Sequence, residues 1–320
     1  MTFSHQLLPV TATPGKIQQS AEPSKLASLP FAIRLAIGFT SLVLLTLTVF
    51  IISRFLLVND SVTAISLVRE TLSDHMFWSA VAVGFLAQAI DGALGMAYGV
   101  TSSTFLLSAG ASPAAASASV HIAEVFTTGV SGVAHARMGN VDKKLFLRLL
   151  IPGMLGAVLG AVVVTQLDGK VLKPFISAYL LIMGLYLLSK AWRKIVLTNK
   201  APKHVGKLAL FGGFVDAVGG GGWGPVVTTS LVGSGNDPRT TIGSVNFAEF
   251  FLALAGATSF TLMVGTGVWV LVLGLVLGGL FAAPFAAFAT KHLKARTLLI
   301  LVGTLISLVS VFNLYKALSA

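Results

Sequence analysis

Long apolar runs, separated by short polar ones, set the plan of this chain. Phe31–Val58 is apolar throughout and predicts a first helix, while Asn59–His75, with Asp60, Arg69, Glu70 and Asp74, predicts a loop or an amphipathic surface helix. Phe77–Ser108 follows. As one straight helix it would be about 48 Å long, against a hydrocarbon core of about 30 Å. Its middle holds Asp91, Gly95 and Gly99, so the pattern predicts two half-helices with a break between them. The small-residue turn Ala109-Gly110-Ala111-Ser112-Pro113 leads into the predicted helix Ala114–Arg137. Helices over Leu145–Gln166 and Leu172–Trp192 come next, and then a basic polar linker, Arg193–Lys207.

After the linker the pattern restarts. An offset of 125 residues pairs Asp91 with Asp216, Gly95 with Gly220, Gly99 with Gly224, Pro113 with Pro238, Ser119 with Ser244 and Glu124 with Glu249. Apolar helices share Leu, Ala and Gly by chance, but Asp, Pro and Glu in one ungapped register mark an internal duplication. The predicted organisation is therefore a tail over 1–30, an extra N-terminal span over 31–58, repeat 1 over 77–192, the linker 193–207 and repeat 2 over 208–318. The second break reads Asp216-Ala217-Val218-Gly219-Gly220-Gly221-Gly222-Trp223-Gly224-Pro225, which no continuous helix tolerates cheaply.

Composition turns this pattern into a membrane protein. The 320 residues are 55% hydrophobic and 10% charged, with mean hydropathy +0.89, where soluble domains carry about 25% charged residues. Cysteine is absent, which excludes disulfides and thiolate metal sites. The tail is too long and mixed for a signal peptide, and the apolar run after it is too long for a cleaved one, so a retained first span is expected. A net charge of +11 suggests nucleic acid in a soluble chain, but here the basic residues sit in short loops between spans. If each broken segment dips in and returns to its own side, and the N-terminus is cytoplasmic, 17 Lys and Arg lie inside. Only Arg54, Arg69, Lys170, Lys173 and Lys316 then lie outside. Full crossing of both segments separates the charges less well. The expected fold is thus an all-α integral membrane bundle of two homologous, inverted repeats with broken, re-entrant helices and one extra span, in the plasma or inner membrane.

Three pairs of residues carry the candidate chemistry. The glycines Gly219, Gly220, Gly221, Gly222 and Gly224 bring backbone close to a ligand. The half-helix after them would aim N–H groups and its positive dipole end at an anion; tight packing through small residues is the alternative. Asp91 and Asp216, with Gly95 and Gly99, are read as structural at the breaks, each carboxylate capping freed N–H groups; proton uptake is the other reading. Glu124 and Glu249 are candidates for proton coupling or gating, equally open to a role as interhelical hydrogen bonds. His121 and Asn246 lie at i−3 from them on the same face, and Ser119 and Ser244 add hydroxyls nearby. His135, His204 and His292 read as solvated interface residues. No zinc spacing, nucleophile elbow or Walker sequence occurs, and Gly219–Gly224 follows no strand as a dinucleotide loop would. Neither enzymatic activity, nor a metal, nor a cofactor is expected.

With these residues in hand, the chain over Phe77–Leu318 resembles the sulfite exporter TauE/SafE family of bacterial membrane permeases. The resemblance rests on Gly219–Gly222 with Gly224-Pro225, on the Pro238 turn, on Gly243-Ser244-Val245-Asn246, and on the loop Arg137-Met138-Gly139-Asn140-Val141-Asp142. In the first half, Gly95-Met96-Ala97-Tyr98-Gly99 stands where the family has a glycine run, and Ala118-Ser119-Val120 where it has Gly-Thr-Ser, so the second half is expected to dominate substrate contact. The resemblance implies secondary transport, often export, of sulfite, sulfoacetate or related sulfur anions; no nucleic-acid partner is expected, because no base-reading motif accompanies the basic loops. Gly219–Gly222, Gly224, Ser244, Asn246, Ser119 and His121 are then expected to line the anion's path. An anion channel is the near alternative, and an intramembrane enzyme or a scaffold subunit the distant ones.

Overall fold

A computed structural model of the chain describes residues 29–56, 61–94, 96–192, 203–264, 269–292 and 295–319. The tail over 1–28 and most of the linker, 193–202, lie outside them. All regular structure among the described residues is helical: α1 (Phe31–Leu56), α2 (Ser61–Ser73), α3 (His75–Leu94), α4 (Tyr98–Ser108), α5 (Pro113–Arg137), α6 (Lys143–Gln166), α7 (Gly169–Lys190), α8 (Val205–Gly219), a π-helical turn (Gly224–Thr228) running into α9 (Thr229–Gly233), α10 (Pro238–Val264), α11 (Trp269–His292) and α12 (Ala295–Leu318). The expected breaks fall between α3 and α4 and between α8 and the π turn. The linker is shorter than expected: Val205 is already buried, and α8 starts there as soon as the chain has an apolar side chain to cover.

Local sequence explains the starts. Ser112 accepts the Ala115 N–H with Pro113 in the first turn of α5, Asp142 caps α6 through Leu145 N–H, and Asp168 caps α7 through Lys170 N–H. Asp237 does the same for α10 through Thr240 N–H, again with Pro at the first position. Among the described residues, five stretches are long and apolar enough to cross a membrane: Phe31–Val49 in α1, α6, α7, Pro238–Met263 in α10 and Leu299–Leu318 in α12. Helix α5 is long enough but less apolar, because it buries Ser117, Ser119, His121, Glu124, Thr127 and Thr128 inside the bundle. On the outside, Leu155, Ile182, Phe281, Leu308 and Phe312 are exposed, as a lipid-facing surface requires.

Glycines let the helices approach backbone to backbone. Along α6 and α8 the neighbours advance together: Gly206 lies by Pro152, Gly156 by Leu210 and Phe214, and Gly160 by Phe214 and Ala217. The two helices therefore run parallel. Helices α3 and α11 do the same, with Gly274 by Phe77 and Ala80 and Gly278 by Val81 and Phe85. Helix α5 packs along α10, and α7 along α12, where Gly184 meets Gly303 and Ser307. Close approach through small residues is the usual basis of helix association in lipid, where the hydrophobic effect does not drive helices together.

These contacts fix where each broken segment enters and leaves. Helix α8 starts beside the first half of α6. After α9 the chain is back there, since Asn236, Asp237, Thr240 and Thr241 share a cavity with Asp142, Lys144 and Arg148. Arg239 Nε donates to Asn140 Oδ1 at 2.5 Å, and Asp142 N–H to Ser244 Oγ at 2.8 Å, at the same end. The first segment belongs to the opposite end. The turn before α5 touches the start of α7 through Pro113 and Gly169, and the end of α10, which leads into α11, touches the end of α6 through Met263 and Thr165. Each segment thus enters and returns at one end of the bundle, and the two tips meet inside.

Candidate functional site

The tips meet backbone to backbone at Gly99 and Gly221. A Cβ added at Gly99, in the first turn of α4, would lie 2.6 Å from the Gly221 Cα, 3.1 Å from the Gly220 carbonyl and 3.0 Å from Glu124 Oε1. Ser103 donates to the Gly220 carbonyl, Ser117 donates to the Ala217 carbonyl at 2.6 Å, and the Tyr179 hydroxyl donates to the Gly221 carbonyl at 2.8 Å. Gly220 and Gly221 hold φ of +65° and +151°, a region that side chains strain to enter. Their N–H groups both donate to the Asp216 carbonyl. Of the five glycines expected to face an anion, Gly219 and Gly222 pack on Tyr179, Gly220 on Ser103 and Ser117, and Gly221 on Gly99. The N–H groups of Gly222 and Gly224 are the donors of this turn that Asp216 does not take.

Both aspartates close their own break. Asp216 Oδ1 accepts the Trp223 N–H at 2.8 Å and Asp91 Oδ1 accepts the Tyr98 N–H at 3.3 Å, seven residues on in each case. The two half-helices are then pinned by their first aromatic side chains, Trp223 Nε1–H to the Val245 carbonyl and Tyr98 O–H to the Leu275 carbonyl. Ala97, just before α4, has φ +110° without being glycine. Gly95 lies outside the described residues.

Around the tips stand the acids. Asp91, Glu124, Asp216 and Glu249 lie within electrostatic reach of one another. At an effective dielectric of about 20, two like charges 4 Å apart cost roughly 4 kcal/mol, so the four cannot all be charged without a positive partner. His121, fully buried, brings Nε2 to 3.3 Å from Asp216 Oδ2, although the two are not aligned as a hydrogen bond. Glu124 joins them, with donor atoms of the three within 4.8 Å of one another, close enough for one positive charge to reach all three. The Nδ1 of His121 sits 2.9 Å from the Ser117 carbonyl, and the ring rests on Gly256 and Phe260.

The remaining expected residues are placed differently. Asn246 is buried with Oδ1 unpartnered, next to the Val245 that holds Trp223. Ser119 donates to the Ala115 carbonyl of its own helix at 2.8 Å. Ser244 donates to the Thr240 carbonyl and accepts from Asp142 N–H, so its hydroxyl fastens the α5–α6 loop at the bundle end. Sequence reasoning missed Tyr179, Ser103 and Ser117. It also counted Lys190 only as a loop charge. Lys190 Nζ instead reaches inward from the end of α7 to Thr229 Oγ1 at 2.6 Å and Met96 Sδ at 3.4 Å, and among the described residues it forms no ion pair. A polar side chain in an otherwise apolar span was the available signal for Tyr179; nothing local marked Lys190.

Comparison with known proteins agrees with this architecture. The chain is 45% identical over 239 residues to a Bacillus subtilis (strain 168) protein named "Probable membrane transporter protein YtnM", a match covering 71% of this chain and 79% of that one. No solved structure matches it. Residues 80–313, from within α3 to near the end of α12, match the family described as sulfite exporter TauE/SafE, and the chain belongs to that family of multi-pass membrane transporters.

Proposed function

We propose that the chain is a secondary transporter of small sulfur-containing anions, sulfite or organosulfonates, exporting them by alternating access with proton coupling through Glu124 and Glu249. The observation that carries this reading is the meeting of two glycine-rich tips, entered from opposite ends of the bundle, against a buried cluster of acids. Two inverted repeats, 77–192 and 208–318, account for that arrangement: α8 of the second lies on α6 of the first, and α3 of the first on α11 of the second. Transporters built this way bind at the repeat interface near mid-membrane.

The family name supplies the substrate class, and the electrostatics supply the coupling. Four carboxylates would repel an anion, so an anion passes the tips only with the acids neutralised, and protons moving with it provide that. On the substrate's side stand Lys190 with Thr229, then the Gly222 and Gly224 N–H groups, then Asn246. Gly219, Gly220 and Gly221 serve as the surface on which the tips close. The N-terminus is cytoplasmic in this reading, which puts Lys190 toward the cytoplasm.

Purified protein in proteoliposomes, loaded with sulfite, taurine or sulfoacetate, tests the proposal. Saturable efflux driven by a pH gradient is expected for at least one of them, with strong loss in Gly221→Val and Glu249→Gln. Unaltered efflux in both variants overturns it, and non-saturable, uncoupled flux makes the protein a channel.

A further inference from the structure

Among the described residues of this cluster His121 is the fully buried base, beside the buried Glu124 and Asp216 and the half-buried Asp91 and Glu249, and its tautomer follows from its neighbours. Nδ1 is 2.9 Å from the Ser117 carbonyl, which can only accept, so Nδ1 carries hydrogen. A neutral His121 then has its lone pair on Nε2. That atom faces Asp216 Oδ2 at 3.3 Å, and a carboxylate oxygen is also a lone-pair donor. Two buried acceptors do not stand face to face with nothing between them. Neither atom has another hydrogen-bond partner, and Glu124 Oε2 beside them has none either.

We propose that His121 and Asp216 hold one proton between them as a buried ion pair, that it is the coupling proton of transport, and that its loss unlatches the second break. The first part stands on geometry alone; the second rests on the transporter reading above. Asp216 is the hinge of the argument because its two oxygens do different things: Oδ1 holds the Trp223 N–H that begins the second half-helix, and Oδ2 faces a histidine on α5. With the proton in place, α5 and the break are held as an ion pair. Without it, two lone pairs oppose each other in low dielectric, and the hydrogen bond to Trp223 is disturbed through the same carboxyl group. The other titratable groups facing the pair are Glu124 from α5, Glu249 from α10, Asp91 from α3, Tyr98 from α4 and Tyr179 from α7. Helix α6 brings none between Arg148 and its end. The cluster therefore offers further acceptors for the proton once it leaves, and no competing base.

The bridge is testable without any substrate. In protein labelled with 15N-histidine, the signal lost in His121→Gln identifies His121 among the six histidines. Both of its ring nitrogens are expected to carry protons in the wild type, with Nε2 losing its proton in Asp216→Asn. An unprotonated Nε2 in the wild type, unchanged by Asp216→Asn, overturns the bridge. So does a signal that shifts on chelator treatment and returns with zinc, which would put a metal ion there. A second readout covers a variant that fails to fold. With the other three tryptophans changed to Phe, Trp223 emission should change with pH, and the change should vanish in His121→Gln. In proteoliposomes His121→Gln should lose at least about tenfold of gradient-driven sulfite efflux. Full gradient-driven efflux in that variant overturns the coupling role. Absence of sulfite flux in the wild type, with the nitrogen signature intact, counts against the substrate reading and leaves the bridge standing.

Discussion

The contact between the two tips makes a quantitative prediction. A methyl group at residue 221 would have to fit beside the Gly99 Cα, 2.6 Å from the ideal Cβ position, on a backbone at φ +151°. Backbone strain at such a position costs of order 1–3 kcal/mol, and overpacking a tight contact typically adds about 1–3 kcal/mol. Gly221→Ala should therefore destabilise the closed tips by about 2–6 kcal/mol. If each kcal/mol shifts Tm by about 2–4 °C in a chain of this size, detergent-solubilised protein should melt roughly 4–24 °C lower. Gly99→Ala meets the same neighbour from the other side and presses on Glu124 Oε1 at 3.0 Å as well. Because both changes open one gap, their effects should not add: the double variant should melt well above the sum of the two shifts. Gly233→Ala, with nothing within 4 Å of its Cβ, is the control and should change little. A Gly221→Ala protein melting within about 1 °C of wild type would refute the contact between the tips.

Three further outcomes follow from single residues. Ala97→Gly should raise Tm by about 1–3 °C, because relief of a left-handed alanine, about 1–2 kcal/mol, exceeds the added chain entropy of glycine. Lys190→Gln should raise the half-saturating concentration for cytoplasmic sulfite by about tenfold in proteoliposome flux, leaving maximal rate less affected; an unchanged value would remove Lys190 from the substrate's path. Asp237 is held below the ordinary carboxylate range by its hydrogen bonds from Thr240 N–H and hydroxyl. A depressed folded value means its contribution is full above the unfolded value of about 3.9 and fades as pH falls through the folded one. Melting curves of Asp237→Asn and wild type should accordingly converge only at the acid end of that range.

The helices and the breaks were legible because they follow from local composition. Phe77–Ser108 was too long to be one span, Asp91 and the glycines marked where it gives way, and Ser112-Pro113 and Asp237-Pro238 announced the next helices. What the tips touch was not legible, because it depends on partners distant in the chain. Gly221 meets Gly99 from 122 residues away, Ser103 reaches Gly220, and Tyr179 covers the second break from α7. The glycine run looked like an open cradle for an anion, yet all four of Gly219–Gly222 are pressed against other residues. Ser244 shared a register with Ser119 but serves the α5–α6 loop, since a hydroxyl two turns into a helix takes whichever backbone group the neighbouring loop leaves unpaired. Lys190 could not be separated from its basic neighbours by sequence, because only the direction of its side chain distinguishes it.

The packing also limits how such a molecule can move. Helices α6 and α8 are locked backbone to backbone at Gly153, Gly156, Gly160 and Gly213, as α3 and α11 are at Gly84, Gly274 and Gly278. Sliding either pair would drive carbonyls and Cα atoms into each other, so each pair moves as one body. Few surfaces remain on which the ends can alternate. The tips touch through Gly99 and Gly221, and the bonds that cross there are few: Ser103 to Gly220, Thr229 to Met96 Sδ, Ser117 to Ala217, and the His121–Asp216 contact. Neutral hydrogen bonds each contribute only about 0.5–1.5 kcal/mol net. A buried charged pair contributes more when broken on one side, about 3–5 kcal/mol. In the proposed His121–Asp216 ion pair, the proton is therefore the largest single lever on the seam between the tips. A ligand or gradient that alters its occupancy biases the whole rearrangement by that amount, which is close to the ~5.5 kcal/mol needed to invert a two-state equilibrium from 1:99 to 99:1.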